Sequence, residues 1–117
     1  AILYEAMAAE ILGLCESGVD GLFVSIPNDG VADAVRDCKE FNPNIQIVSI
    51  NAGHERSKEL DLIHHIGMDE QNAGYEAGKK MVRNVSLRKA LCLNHEPGLI
   101  VMEDRCEGFE RAMDEMG

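Results

Sequence analysis

Four short polar side chains stand at or just after the ends of apolar, β-branched stretches of this sequence. They are Ser25, Asn51, Asp69 and Asn94. As a set, their hydroxyl, amide and carboxylate groups offer both donors and acceptors of hydrogen bonds, which is what the hydroxyls of a polyhydroxylated molecule require. These residue types therefore predict the binding of a small neutral ligand, and they suit catalysis poorly.

Each of these positions also has a purely structural interpretation, because Asn and Asp bond their own backbone in turns. Asn28 is interpreted as such a turn residue. For Asp69, a helix N-cap and a ligand contact are both open. Asn51 is interpreted as a ligand contact, because Ala52 and Gly53 after it already supply small residues for a turn.

Arg105 is a fifth candidate and stands early in the last predicted helix, with Asp104 and Glu107 nearby. One interpretation is a surface arginine with ion-pair neighbours on its own helix. The other is a guanidinium fork that binds ligand hydroxyls.

No catalytic, metal or cofactor motif is evident. The stretch GYEAGKK at 74–80 fails as a phosphate loop, because its spacing is one residue short and no Ser or Thr follows the lysine. His64 and His65 are adjacent in a predicted strand and would point to opposite faces, so they cannot bind one metal ion. Ser49 is interpreted as a hydrogen-bonded polar group within the sheet. We expect no enzyme activity and no cofactor.

A parallel sheet is needed to gather the candidate residues, because ligands of such sheets bind beyond the carboxyl ends of the strands. Strands that alternate with helices and are continuously apolar indicate this architecture. We expect Gly74 and Gly78 to let their helix, with its stripe of Ala73, Ala77 and Met81, lie close to the sheet. The predicted order is helix 2–15, strand 21–26, helix 31–38, strand 45–50, polar loop 53–60, strand 62–66, helix 69–81, strand 89–94 and a last helix after residue 98.

The amino-acid composition limits the classes of molecule that this segment is expected to bind. The 117 residues suffice for one core, and 11 basic against 21 acidic residues give a net charge of −10. This charge repels nucleic acid and anionic membranes, so we expect no nucleic-acid partner for this segment. No apolar run could span a bilayer, and no signal peptide is present in the segment. The chain begins without methionine, in what reads as mid-helix, so we expect it to be part of a longer protein.

The four cysteines, Cys15, Cys38, Cys92 and Cys106, are widely spaced and form no CxxC motif. Three disulfide connectivities are possible. Each cysteine falls within an apolar pattern, where a free thiol behaves as a small hydrophobic group. We therefore expect buried free thiols.

Taken in order, several segments resemble the type I periplasmic sugar-binding proteins of ABC transporters, whose fold is shared by LacI-type effector domains. The resemblance implies an incomplete Rossmann-like parallel sheet with helices on both faces. It also implies that residues 1–88 are the later part of a first lobe and that residues 89–117 are a crossover strand and the first helix of a second. The segments are GVDGLFVSIPND, IQIVSINAG, HHIGMDEQNAGYEAGKKM, ALCLNHEPG and DRCEGFERAM.

The resemblance also implies roles for individual residues. Asn51 matches a position that binds sugar hydroxyls, and Ser25 a polar contact at a strand end. Arg105 matches an arginine that reaches the ligand from the second lobe, and Asp69 the aspartate that opens a helix. Ala52 departs from the pattern, since many members carry a second sugar-binding arginine there.

For the intact parent, the resemblance implies a sugar-like ligand, a membrane permease as partner and a periplasmic or secreted location. The effector domain of a LacI-type regulator is the alternative, and a nucleotide-dependent enzyme is disfavoured because the glycine fingerprints are missing. The strand that this family places beside residues 21–26 is absent from the sequence. We therefore expect an open strand edge there and self-association of the chain.

Overall fold

The computed structural model describes residues 4–116. They divide into two compact units, of which the first ends at Gly67 and the second begins at Met68. The sequence-based boundary falls after residue 88 instead, and its assignment of the two parts to the lobes of a larger protein stays a prediction.

The first unit alternates helices with parallel strands, in the order that the hydrophobic pattern predicts except for one additional helix. A short helix, α3, occupies most of the stretch expected to be a polar loop, so that expectation is wrong. Five of the six residues of α3 are charged or histidine and four are exposed, so the segment lacks the apolar stripe that marks a helix in sequence. The elements are α1 (Tyr4–Glu16), β1 (Gly21–Val24), α2 (Asp29–Phe41), β2 (Gln46–Ile50), α3 (His54–Glu59) and β3 (His64–Ile66).

The three strands form one parallel sheet in the order β1-β2-β3. Val24 is level with Ser49 on β2, and Ser49 is level with His65 on β3. The predicted α/β class and the parallel direction of these strands are therefore confirmed, while the Rossmann-like, periplasmic-binding-protein assignment stays a prediction. Among the described residues β1 pairs with β2 alone, which leaves the expected open edge.

Apolar residues of the sheet and of helices α1 and α2 form the core of the first unit, with Ile26, Val31, Val35 and Ile47 fully buried. Asn28 caps α2, since its side-chain oxygen accepts a hydrogen bond from the Val31 amide at 2.9 Å. The interpretation of Asn28 as a structural residue is confirmed.

The expectation of free thiols is wrong, because the described structure contains two disulfides. Cys15 of α1 bonds Cys38 of α2, with the Cα atoms 5.7 Å apart, and Cys92 bonds Cys106, with the Cα atoms 5.5 Å apart. Both separations lie within the range that a disulfide spans. Apolar surroundings alone could not distinguish a bonded sulfur from a buried thiol, since both are hydrophobic.

The second unit is a pair of packed helices, α4 (Glu70–Asn84) and α5 (Ile100–Met116). The small residues of α4, which were expected to face a sheet, pack against α5: a methyl group on Gly74 would collide with the Arg105 carbonyl, and one on Gly78 would meet Ala112. The buried residues of α4 are Glu70, Gly74 and Gly78, whereas Ala77 and Met81 of the predicted stripe are exposed.

The predicted strand 89–94 is absent, and this stretch is irregular. Leu91 and Leu93, which suggested a buried strand, are 85% and 81% exposed. A strand needs a neighbouring strand for its hydrogen bonds, and the described part of the second unit contains none. The local apolar pattern was therefore not sufficient to predict a strand at 89–94.

Candidate functional site

Ser25 and Asn51 lie at the same edge of the sheet, just beyond the carboxyl ends of β1 and β2. One residue past each of them, the Ile26 amide donates to the Ala52 carbonyl oxygen at 3.0 Å. The backbone amide of Asn51 in turn donates to the Ile66 carbonyl oxygen of β3 at 2.9 Å. We call Ser25 and Asn51 the strand-end rim. Parallel strand direction brings them together, as the sequence predicts.

Asn51 is also a turn residue in its own right. Its φ is +59°, in the left-handed region that asparagine tolerates better than most residues. Attributing the turn to Ala52 and Gly53 alone was therefore wrong, although Gly53 does adopt a φ of +109°. The Asn51 side chain is exposed and has no hydrogen-bond partner within residues 4–116. The side-chain amide of Asn51 is thus available to a ligand, while its backbone forms the turn.

Ser49 and His65 form a polar pair inside the sheet, and the predicted bonded role of Ser49 is confirmed. Ser49 Oγ lies 2.6 Å from His65 Nδ1, and the serine is fully buried. Burial, together with the nearby imidazoles of His54 and His64, lowers the pKa of His65. This environment favours the neutral imidazole of His65. The sequence did not predict this pairing of His65, because its partner, Ser49, is 16 positions away on another strand.

Arg56 of α3 fixes the segment that follows Ser25. Its Nε and Nη2 each donate to Asp29 Oδ1 at 3.2 Å, and its Nη1 donates to the Pro27 carbonyl at 3.4 Å. No local pattern singles out Arg56, because its partners lie 27 and 29 positions away in the sequence. The arginine holds the turn after β1 and so positions the rim.

In the second unit, Asp69 caps α4, since its Oδ1 accepts a hydrogen bond from the Asn72 amide at 3.0 Å. The capping interpretation of Asp69 is confirmed, and its role as a ligand contact stays a prediction. Asn94 is half-buried, and its side-chain oxygen accepts a hydrogen bond from the Glu96 amide at 2.9 Å, which makes it a turn residue as well.

Arg105 pairs with Glu70 of α4, and not with the helical neighbours that its sequence suggested. Its Nε donates to Glu70 Oε2, and its Nη1 lies 3.7 Å from Met102 Sδ. The hydrogen bond to the carboxylate raises the pKa of Arg105. The Arg105 side chain is 40% exposed, whereas that of Glu70 is 7% exposed. Part of the guanidinium thus faces solvent while Glu70 holds the rest.

Carboxylates surround this pair. Burial, followed by the charges of Glu107, Glu70 and Glu103, raises the pKa of Asp104. An anionic ligand would be repelled here, and a neutral ligand that donates hydrogen bonds would not. No group of three potential metal ligands occurs within residues 4–116.

The candidate residues are therefore distributed over both units. Ser25 and Asn51 share one edge of the first unit, whereas Asp69, Asn94 and Arg105 belong to the second unit. Within the second unit, Glu70 connects Asp69 with Arg105, because it follows Asp69 directly in the chain and binds Arg105.

None of the helices in the described range has the length and apolar character to cross a membrane. Comparison with known proteins found no matching family model, no matching curated protein and no matching solved structure.

Proposed function

We propose that this chain supplies part of the binding site for a small, neutral, polyhydroxylated ligand such as a sugar. In this proposal the parent is a periplasmic or secreted solute-binding protein that delivers its ligand to the permease of an ABC transporter. The chain itself carries out no reaction.

The observation that carries the proposal is the strand-end rim. Ser25 and Asn51 offer a hydroxyl and an amide at the carboxyl edge of neighbouring parallel strands, which is where ligands bind open sheets of this kind. The side-chain amide of Asn51 is exposed and has no partner in the described chain, so it can both donate to and accept from a ligand hydroxyl.

Arg105 gives further support. Its Nε is bound to Glu70, and Nη2 has no hydrogen-bond partner within the described residues, so the remaining donors can reach a ligand oxygen. The surrounding carboxylates and the net charge of −10 disfavour an anionic ligand. A neutral hydroxylated molecule fits these donors and acceptors best.

The chemistry of Ser49 and His65 supports binding over catalysis. They lie within hydrogen-bonding distance of each other, as a nucleophile and its base do. Ser49 is nevertheless fully buried within the sheet, so a substrate cannot reach its hydroxyl. The pair is better explained as a bonded polar group of the core.

The test is amide NMR of the ¹⁵N-labelled chain titrated with a panel of neutral monosaccharides. Because the chain supplies only part of the binding site, we expect weak affinity. The titration therefore extends beyond about 1 mM sugar, since a Kd of that size corresponds to a binding free energy of about 4 kcal/mol. We expect one or more sugars to shift the backbone amide signals of Ser25, Ile26, Asn28 and residues 51–53. No saturable shift with any sugar would contradict the proposal.

Two matched glycine variants identify the contact. Asn51→Gly removes the amide side chain and still accommodates the positive φ, so the turn is kept. Asp61→Gly makes the same change at a second exposed non-glycine residue with a positive φ, +52°. We expect Asn51→Gly to abolish the sugar-dependent shifts and Asp61→Gly to leave them intact. Equal behaviour of the two variants would exclude Asn51 as a contact.

A further inference from the structure

The two disulfides differ in how the protein surrounds them. Cys15 and Cys38 are 1% and 0% exposed and join two helices within the core of the first unit. Cys92 and Cys106 are only half-buried, and Cys92 stands in the irregular stretch between α4 and α5. Thiol–disulfide exchange requires a thiolate to approach a sulfur atom in line with the bond, so accessibility governs its rate.

The segment that carries Cys92 has few other attachments. Residues 86–93, which we call the interhelical segment, form no hydrogen bond or ion pair within the described chain. All of them except Cys92 are exposed. The next fixed points are the Asn94–Glu96 turn and the hydrogen bond of 2.7 Å from the Gly98 amide to Glu103 Oε1. The bond to Cys106 is therefore the tie of this segment to α5.

We infer that the Cys92–Cys106 disulfide is a redox-sensitive cross-link, which a dithiol reductant reduces selectively to release the interhelical segment from α5. Leu91 and Leu93, on either side of Cys92, are exposed to solvent while the disulfide is intact. Its reduction leaves them free to move away from α5. The Cys15–Cys38 disulfide stays closed under the same conditions and preserves the first unit.

The reaction is a two-electron exchange with the dithiol. One thiolate of the reductant attacks Sγ of Cys92 or Cys106, the S–S bond breaks, and the other cysteine leaves as a thiolate. The second thiol of the reductant then attacks the mixed disulfide, forms the cyclic disulfide of the reductant and releases the remaining cysteine. The protein gains two electrons and two protons, and the dithiol loses them.

Graded reduction of the native protein with dithiothreitol tests selectivity. Free thiols are trapped with iodoacetamide at each concentration and mapped by peptide mass spectrometry. We expect half-labelling of Cys92 and Cys106 at a reductant concentration at least about tenfold below that for Cys15 and Cys38. Simultaneous labelling of all four cysteines, or earlier labelling of Cys15 and Cys38, would overturn the inference.

Limited trypsin digestion tests release, because Arg88 and Lys89 lie within the interhelical segment and are exposed. We expect cleavage after these residues to accelerate at least about threefold once Cys92–Cys106 is reduced. The double variant Cys92→Ser/Cys106→Ser should cleave at the fast rate without reductant. Cleavage after Lys58 of the first unit is the internal control and should not change. An unchanged rate at Arg88 and Lys89 after reduction would also overturn the inference.

Discussion

The guanidinium of Arg105 and the carboxylate of Glu70 join the two helices of the second unit, although 35 positions separate them in sequence. Glu70 is nearly buried, and the Arg105 guanidinium supplies its carboxylate with a hydrogen-bond partner. The same contact orients Arg105, the residue proposed to reach the ligand. One ion pair thus serves both the stability and the proposed binding role of this unit.

Removing Arg105 should destabilise the second unit, because Glu70 would be left buried and unpaired. Solvent screens the pair, since the Arg105 side chain is 40% exposed. We therefore expect Arg105→Ala to cost about 1–2 kcal/mol, below the about 3–5 kcal/mol of fully buried pairs. Chemical denaturation measures this. Arg83→Ala is the control, because Arg83 is exposed on α4 and its loss should cost under about 0.5 kcal/mol. Equal losses in the two variants would contradict the prediction.

Gly74→Ala should destabilise the helix pair, even though alanine favours helix formation. A methyl group at Gly74 would collide with the Arg105 backbone and force α4 away from α5. We expect a cost of about 1–3 kcal/mol from overpacking. Gly13→Ala in α1 is the matched control, because nothing lies within 4 Å of its added carbon. That variant should gain about 0.5–1 kcal/mol from helix propensity. Stabilisation of the protein by Gly74→Ala would show that the helices are not in close contact there.

The stability of the first unit should fall in mild acid because of His65. Its pKa is lowered from an ordinary value of 6.5 by burial and by His54 and His64. The unfolded chain therefore binds a proton at higher pH than the folded one, and stability decreases as the pH falls through 6.5 towards the lowered value. Denaturation between about pH 7.5 and about pH 5 measures the slope.

His65→Gln should flatten this pH dependence, because glutamine does not titrate in this range. His95→Gln is the control, since His95 is exposed in the second unit and should leave the slope of the first unit unchanged. A slope that persists undiminished in His65→Gln would assign the effect to another group.

The open edge of β1 should make the protein associate with itself. Phe23, on this strand, is 61% exposed, and unpaired edge strands pair readily with other chains. We expect sedimentation velocity to show association that increases with concentration and that Phe23→Lys suppresses. Phe41→Lys places the same charge at a phenylalanine that is 66% exposed at the end of α2, and it should not suppress association. A monomer at all concentrations would rule this out.

The sequence predicted those features that depend on neighbouring residues. Hydrophobic periodicity located α1 and α2, continuous apolar stretches located β1 and β2, and the structural role of Asn28 was predicted correctly. Parallel strand direction then brought Ser25 and Asn51 to one edge. These inferences require only local patterns and the general geometry of parallel sheets.

Features that depend on distant partners were not predictable in this way. The pairing of Glu70 with Arg105, of Ser49 with His65 and of the four cysteines arises from tertiary packing. Residues 89–94 failed as a strand for the same reason, since an apolar stretch extends into a sheet only where another strand accepts its hydrogen bonds.

The burial of Cys15 and Cys38 has a consequence for how the protein is made. An oxidant cannot reach the two sulfur atoms once α1 and α2 have packed against the sheet, so this cross-link has to be made before the core closes. A chain synthesised in a reducing cytosol would enclose two thiols instead, and adding an oxidant after purification would leave them unpaired until the unit is unfolded.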